Sequence, residues 1–173
     1  MTSNPMIQPE KRLAAVCGIF CPACTFYIAS TEDPERLKAL AARWGITPEE
    51  MRCYGCRAEK RLPYCANCAF AKCAAEKGID FCGACDEYPC ADLKEFQSAR
   101  PHRCELWEAQ ARIQEAGYEQ WFAEMSEHYA CPSCGTLNSA YDRVCRRCGA
   151  SPSSAYNERH SAAIEEYLAL QRQ

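Results

Sequence analysis

The sequence predicts a mainly α protein: a small, metal-stabilised, cysteine-rich domain, then a short helical arm and a zinc ribbon, the last a small β element. Three observations support this. The 173-residue chain contains 16 cysteines, most of them in pairs with two residues between the members. Much of its 48% hydrophobic content is cysteine and alanine, which bury little area. The segments between the cysteines show helical periodicity and helix-capping residues. Bound metal is therefore expected to supply much of the folding free energy.

The redox compartment decides whether these thiols bind metal or form disulfides. Residues 13–31 carry no charge and follow Lys11 and Arg12, as a signal peptide or membrane span would. Gly18 and Pro22 interrupt this stretch, and three cysteines at ligand spacing lie within it. We therefore expect no export signal and a cytoplasmic location, where thiols favour metals over disulfides.

The spacing of the motifs divides the chain into five segments. They are a flexible N-terminus at 1–12, a cysteine-rich metal-binding domain at 13–100, a helical arm at 101–129, a zinc ribbon at 130–150, and a linker with a C-terminal helix at 151–173.

Cys17, Cys21 and Cys24 form the first motif, with the spacing Cys-x3-Cys-x2-Cys. Radical-SAM enzymes share this spacing, but they need a far larger barrel and a glycine-rich cofactor loop that this sequence lacks. We favour a structural site completed by a distant cysteine. Pro22 predicts a helix capped by Cys21 and running to about Ser30.

Capping residues and apolar spacing predict the other helices. Asp33 and Pro34 begin one that Gly45 ends, with Trp44 on the side expected to face the core. Thr47 and the residues after it begin a second helix. Further helices are predicted at 67–77, 92–99, 103–116 and 118–128, with a last one near the C-terminus. The aromatic residues of 118–128 are expected to pack over the cysteine-rich core.

The central stretch 53–90 repeats the spacing Cys-x2-Cys-x4-Cys at an interval of 17 residues. Its cysteines are Cys53, Cys56, Cys65, Cys68, Cys73, Cys82, Cys85 and Cys90. The twelve cysteines outside the ribbon divide into three sets of four. In one option Cys65 and Cys68 share a metal ion with Cys82 and Cys85, and Cys73 and Cys90 share another with Cys53 and Cys56. Cys104 is then the fourth ligand of the first motif. His102 is an alternative ligand to Cys104, and interleaved sets are equally allowed by count.

The C-terminal pairs predict a zinc ribbon. Cys131 and Cys134 form one Cys-x2-Cys-Gly knuckle, and Cys145 and Cys148 form another after ten intervening residues. The glycine that follows each pair permits a left-handed turn, which brings backbone amides toward the sulfur atoms. These four ligands complete one tetrahedral zinc site.

The net charge limits the partners. A formal net charge of −3 and the lack of a long charged run exclude bulk attraction to nucleic acid or anionic membrane. Arg143, Arg146 and Arg147 near the second knuckle offer a local nucleic-acid contact, with Tyr141 to stack on a base. Asp142 beside them favours a plain charged surface, and a protein partner is the first expectation. Oligomeric state is not predicted.

Several motifs together resemble a known family. They are Cys17-Gly-x2-Cys21-x2-Cys24, Gly55-Cys56, Cys65-x2-Cys68, Cys82-x2-Cys85 and Tyr88-Pro89-Cys90. The pattern resembles small cysteine-rich bacterial and archaeal proteins catalogued as a domain of unknown function. Some members also resemble this chain in residues 113–121 and in a C-terminal ribbon. The resemblance implies a prokaryotic, cytoplasmic, metal-binding protein, and it carries over no catalytic residue.

Two functions remain open from the sequence. The first is a zinc-stabilised binding or adaptor module, because cysteine saturation leaves no open coordination position for catalysis. The alternative is an Fe–S protein in electron transfer, redox sensing or as an accessory to an enzyme. No catalytic set is apparent: His128 lacks the His-x-Glu pattern of zinc deaminases, and no cysteine has an evident histidine base.

Overall fold

The computed structural model describes residues 8–98 and 100–171, without the side chain of Ser98. Within these ranges the protein is mainly α, as predicted. Its α-helices are α1 Thr25–Thr31, α2 Pro34–Trp44, α3 Pro48–Met51, α4 Pro63–Ala66, α5 Ala69–Lys77, α6 Ala91–Ser98, α7 Leu106–Ala116, α8 Tyr118–His128, α9 Ala155–Arg159 and α10 Ser161–Leu170. Single turns of 3₁₀ helix lie at Lys11–Leu13, Cys21–Ala23, Cys82–Ala84 and Pro101–Arg103. None of the helices in these ranges has the length and apolar character needed to cross a bilayer.

The small β element expected at 130–150 is not formed as a sheet. In the described part of the chain, β-pairing consists of two isolated antiparallel bridges, Ala14 with Phe20 and Ala130 with Leu137. The second bridge joins the two sides of the first C-terminal knuckle. Beyond it, Asn138 donates its backbone amide to the Tyr129 carbonyl, 3.0 Å away, but the chain then turns through side-chain contacts. Pairing therefore ends before a strand can extend.

The predicted helix starts are confirmed where a capping side chain is present. The Asp33 carboxylate accepts the Arg36 amide at 3.0 Å, and Pro34 occupies the first turn of α2. Thr47 and Glu50 form a reciprocal capping box at α3. Gly45 ends α2 in the left-handed conformation, as glycine is suited to do.

Two predictions about the first helices are wrong. The helix expected from Cys21 to about Ser30 is broken, because Cys21–Ala23 closes a 3₁₀ turn and Cys24 is extended before α1 begins. Trp44 is 45% exposed instead of buried, since it lies in the last turn of α2 and meets Phe26 edge-on at 5.6 Å. A flexible N-terminus was expected at 1–12, and residues 1–7 of that segment lie outside the described residues. Residue 99, the predicted end of the helix at 92–99, also lies outside them.

An aromatic cluster joins the first cysteine motif to the arm. Phe20 lies between Cys17 and Cys21, and its ring packs against those of Trp121, Phe122 and Tyr129. Tyr129 in turn stacks on Tyr156 with ring centroids 4.5 Å apart. The expected packing of helix 118–128 over the cysteine-rich core is thereby confirmed. Such ring pairs contribute about 0.5–1.5 kcal/mol each beyond their buried area.

Helix α7 holds two cysteine motifs together. Gln110 is fully buried, accepts the Gly83 amide at 2.8 Å and donates to the Val16 carbonyl at 2.9 Å. The Cys82 amide donates to the same Val16 carbonyl at 2.8 Å. One side chain therefore fixes the position of the 82–85 turn relative to the segment that precedes Cys17.

The C-terminal region packs on the N-terminal helices. Arg36 in α2 forms two hydrogen bonds with the Asp142 carboxylate, at 2.9 and 3.2 Å. Arg146 pairs with Glu32 and donates to the Leu137 carbonyl. Residues from Leu13 to Tyr156 belong to one apolar core cluster. The cysteines at both ends of the chain are therefore positioned by a shared core.

Candidate metal centre

Four cysteines at 131–148 form a compact group, here called the C-terminal cluster. Their sulfur atoms all lie within 4.8 Å of one another. Two of the S···S distances, Cys131 to Cys148 and Cys134 to Cys145, are 3.6 Å. A tetrahedral site with Zn–S bonds of about 2.3 Å requires S···S edges of about 3.8 Å. A disulfide would need about 2.05 Å, so the group has metal-site dimensions.

The two knuckles repeat the same backbone geometry. The Gly135 amide donates to the Cys131 carbonyl at 2.8 Å, and the Gly149 amide donates to the Cys145 carbonyl at 3.0 Å. Both glycines have positive φ, 71° and 77°, a conformation that costs other residues more. The left-handed turns predicted from Cys-x2-Cys-Gly are thereby confirmed. They point each pair of sulfur atoms toward the other pair.

The protonation of the C-terminal cluster favours a bound cation. Burial opposes ionisation of Cys145, but amides of Cys148 and Arg147 lower its pKa to about 6. The Thr136 hydroxyl and amide also lower the pKa of Cys134. The Ala150 amide lowers the pKa of Cys148, but the neighbouring thiols outweigh it and raise that pKa to about 12. Because like charges repel, a cation between the four sulfur atoms favours the state in which all of them are ionised.

Residues outside the motif support the cluster. Asn138 is fully buried, donates to the carbonyls of Thr136 and Ser153, and accepts the Arg146 amide at 3.1 Å. It therefore links the first knuckle to the second. Sequence reasoning missed Asn138 and Thr136, and their only signal was a position soon after the first knuckle. With four thiolates the coordination shell is full, which suits a structural ion and leaves no position for a reacting water.

The first motif meets the central stretch. The Cys56 amide donates to the Cys21 sulfur at 3.4 Å. The Cys56 thiol contacts the thiols of Cys21 and Cys65, and the Cys21 contact is the main reason that its pKa is raised well above the ordinary value. The Cys24 thiol lies near Cys53 and Cys65, and burial raises its pKa to about 11. These five cysteines are here called the N-terminal thiol group.

Cys17 lies beside this group, and Cys68 lies near Cys17. Burial raises the pKa of Cys17 to about 12, and the charges of Cys68 and Cys82 add to the rise. The Ile19 amide opposes it. Cys17 therefore lies between the N-terminal thiol group and the 82–85 turn.

Cys73, Cys82, Cys85 and Cys90 line a single cavity of about 50 Å³. Cys73 comes from α5, Cys82 and Cys85 from the 3₁₀ turn, and Cys90 immediately precedes α6. The structure thus places Cys73 and Cys90 beside Cys82 and Cys85. The option derived from spacing had grouped Cys73 and Cys90 with the 53/56 pair instead.

Cys104 and His102 lie apart from the other candidate ligands. Cys104 is close to Tyr156 and Glu105. His102 contacts the Tyr141 hydroxyl, and burial lowers its pKa to about 3, helped by Arg103 and Arg100. Among the described residues, the C-terminal cluster is the one set of three or more candidate ligands with all donor atoms within 4.8 Å. Cys104 and the first motif do not form such a set, and their shared site stays a prediction.

The arginines near the second knuckle are engaged in the fold. Arg143 forms an ion pair with Glu165 at 2.6 Å, and Arg146 pairs with Glu32. Arg147 lies on the surface. Two of the three positive charges considered for nucleic acid thus have acidic partners within the chain.

A buried carboxylate was also missed from the sequence. Glu105 accepts hydrogen bonds from His128, His160 and Arg159 at 2.7 to 3.1 Å. It joins α8 and α9–α10 to the start of α7. Its partners are 23 to 55 positions away, so no local pattern could show the contact.

Comparison with known proteins identifies the cysteine-rich segment. Residues 13–95 match the model of a family described as a protein of unknown function, DUF3795. The resemblance inferred from the cysteine pattern is confirmed for this part of the chain. No curated protein and no solved structure matches the chain.

Proposed function

We propose that this protein is a zinc-stabilised binding module that acts as an adaptor for a protein partner. The C-terminal cluster carries the proposal, because its four sulfur atoms have the spacing of a closed zinc–thiolate site. A closed site stabilises structure and does not activate water. The ribbon type of site is part of the proposal, supported by its paired Cys-x2-Cys-Gly knuckles.

The proposed compartment is a reducing cytoplasm in a prokaryotic cell. The free thiols of the C-terminal cluster are separated by 3.6 Å, the spacing of a shared ion and too long for a disulfide. Zinc–thiolate sites persist where thiols stay reduced.

The partner is proposed to be a protein rather than a nucleic acid. The net charge is −3, and Arg143 and Arg146 are already paired with Glu165 and Glu32. Large aromatic side chains are nonetheless left on the surface, with Tyr64 62% exposed. Exposed aromatic residues are enriched at protein interfaces, where they supply area at a low cost in entropy.

Metal and sulfide analysis of protein purified without oxygen tests the zinc assignment. We expect a colourless protein that holds zinc, no acid-labile sulfide, and loss of one zinc per chain on Cys145→Ser. A copurification experiment with Tyr64→Ala tests the adaptor role, with Tyr118→Ala as the control because Tyr118 is half-buried against Phe81. Loss of a captured protein with the first variant only supports the role. Identical capture by both variants contradicts the Tyr64 surface.

A second function is favoured by the N-terminal thiol group. Five cysteines from three stretches converge there, and Cys21 and Cys53 are buried. Such a crowded, partly dry group of thiolates also suits an Fe–S cluster in electron transfer, redox sensing or support of an enzyme. Brown protein with stoichiometric iron and sulfide would favour this function over a zinc-only adaptor.

A further inference from the structure

Four cysteines, from α5 and from the segment between α5 and α6, line one cavity. The cavity of about 50 Å³ is lined by the sulfur-bearing side chains of Cys73, Cys82, Cys85 and Cys90. A water molecule needs only about 10–15 Å³ by a comparable measure, so one ion fits between the side chains. We propose that these four cysteines hold one zinc ion, in a site separate from the C-terminal cluster.

The lining of the cavity selects the kind of ion. Phe70, Ile79 and Leu93 contribute apolar walls, and among the described residues the charged side chains that line it are Lys77 and Glu87. Those two pair with each other at 2.6 Å. Sulfur is therefore the main donor available to an ion, and four thiolates suit zinc rather than calcium or magnesium.

Local charges are arranged for a thiolate site. The Lys77 ammonium lies 3.2 Å from the Cys85 sulfur, where it offsets negative charge. Four thiolates carry two more negative charges than zinc neutralises, so a neighbouring cation stabilises the complex.

The backbone holds the middle of the site in place before metal binds. The Cys85 amide donates to the Cys82 carbonyl at 3.1 Å, which closes the 3₁₀ turn. The Gly83 amide is anchored to Gln110 at 2.8 Å. A Cβ atom at Gly83 would lie 2.9 Å from the Gln110 side-chain oxygen, so glycine allows this contact without a shift of Gln110. Cys73 and Cys90 are fixed at either side by helices.

The site is looser than the C-terminal cluster. In the described part of the chain, only the C-terminal cluster has its sulfur atoms all within 4.8 Å, so the four cysteines around the cavity must draw together on the ion. Cys73 is also exposed, whereas Cys131 and Cys145 are buried. We therefore expect a chelator to remove zinc from this site first.

Thiol alkylation of the intact zinc protein, mapped by mass spectrometry, is the decisive test. Cys73 is exposed and would react rapidly as a free thiol. We expect it instead to be protected together with Cys82, Cys85 and Cys90. Chelator should expose all four at the same rate, with release of one zinc per chain, before Cys131 reacts. Rapid alkylation of Cys73 while Cys82 and Cys85 stay protected would overturn the proposal.

A pair of matched variants separates this ligand set from the alternative 65/68 with 82/85. Cys68 and Cys73 both lie near Cys82, so each variant removes one thiol from the same neighbourhood. Cys73→Ser should release the zinc that protects Cys82 and Cys85, and Cys68→Ser should leave that protection intact. The opposite pattern would overturn the proposal. If Cys73→Ser fails to fold, the mapping of the unaltered chain still decides.

The outcomes also separate this inference from the proposed function on which its zinc assignment rests. A chain without zinc at any site contradicts both. Protected C-terminal cysteines beside a freely reactive Cys73 contradict only the present inference. Iron and sulfide bound by the four cysteines around the cavity would overturn the zinc site, with the C-terminal zinc left in place.

Discussion

Replacing Gln110 with leucine is expected to lower the free energy of unfolding by about 3 kcal/mol. The side chain is fully buried and connects the Gly83 amide to the Val16 carbonyl. Leucine has a similar size but can make neither hydrogen bond. The Gly83 amide then has no acceptor in the interior, which costs about 1–3 kcal/mol. The Val16 carbonyl keeps the Cys82 amide, so its loss is nearer to 1 kcal/mol.

Chemical denaturation followed by far-ultraviolet circular dichroism measures this effect. Metal and reductant concentrations must be the same for both proteins, because a ligand that binds only the folded state shifts apparent stability. Gln114→Leu is the matched control. Gln114 also lies on α7 and donates to the Gly83 carbonyl, but it is exposed to water. We expect that control to cost less than about 1 kcal/mol.

The Gln110 variant should also loosen the proposed zinc site. Gly83 lies between Cys82 and Cys85, so an unanchored turn holds its two sulfur atoms less firmly. Alkylation of Cys82 should therefore become faster at a fixed chelator concentration. A Gln110→Leu protein within about 1 kcal/mol of the parent would refute the reasoning, since it would show that the Gly83 amide finds another partner.

Three further predictions concern other parts of the molecule. Gly55→Ala should lower the free energy of unfolding by more than about 2 kcal/mol, because φ is +120° and the new Cβ would lie 2.5 Å from the Arg12 carbonyl oxygen. Gly45→Ala is the control: φ is +66° and no atom lies within 4 Å of the new Cβ, so the same denaturation measurement should show a loss of only about 1 kcal/mol. Cys145→Ser should remove one zinc per chain and at least about 5 kcal/mol of stability, since a structural zinc contributes on the order of 10 kcal/mol; unchanged zinc content would contradict the C-terminal site. Burial alone would raise the pKa of Glu105, but hydrogen bonds from His128 and His160 lower it. Because the pKa of Glu105 is lower in the folded protein, its ionised carboxylate stabilises the fold above the unfolded-state pKa of about 4.3, and this stabilisation is lost as pH falls through the folded-state pKa. The difference in unfolding free energy between the parent and Glu105→Gln should therefore shrink below about pH 4. A difference that stays constant with pH would contradict this account.

Local features of this protein were determined by the sequence. Asp33, Thr47 and Gly45 set helix ends through contacts within four residues, so their roles are legible in the chain itself. The C-terminal cluster is local in the same sense, because two Cys-x2-Cys-Gly knuckles separated by ten residues supply all its ligands. Charge and composition likewise predict a fold that depends on its thiols and a chain without a dominant positive charge.

Only the tertiary structure decided which distant cysteines meet. Cys21 contacts Cys56 across 35 positions, and Cys73 faces Cys82 and Cys90 around the cavity. Spacing allowed several such sets, since any two pairs satisfy the same count. The choice is made by groups without a motif: Gln110 anchors the 82–85 turn, and the Phe20 ring fixes the first motif against α8. Packing and buried hydrogen bonds between remote segments carry no periodic signal, and for that reason the sequence alone could not reveal them.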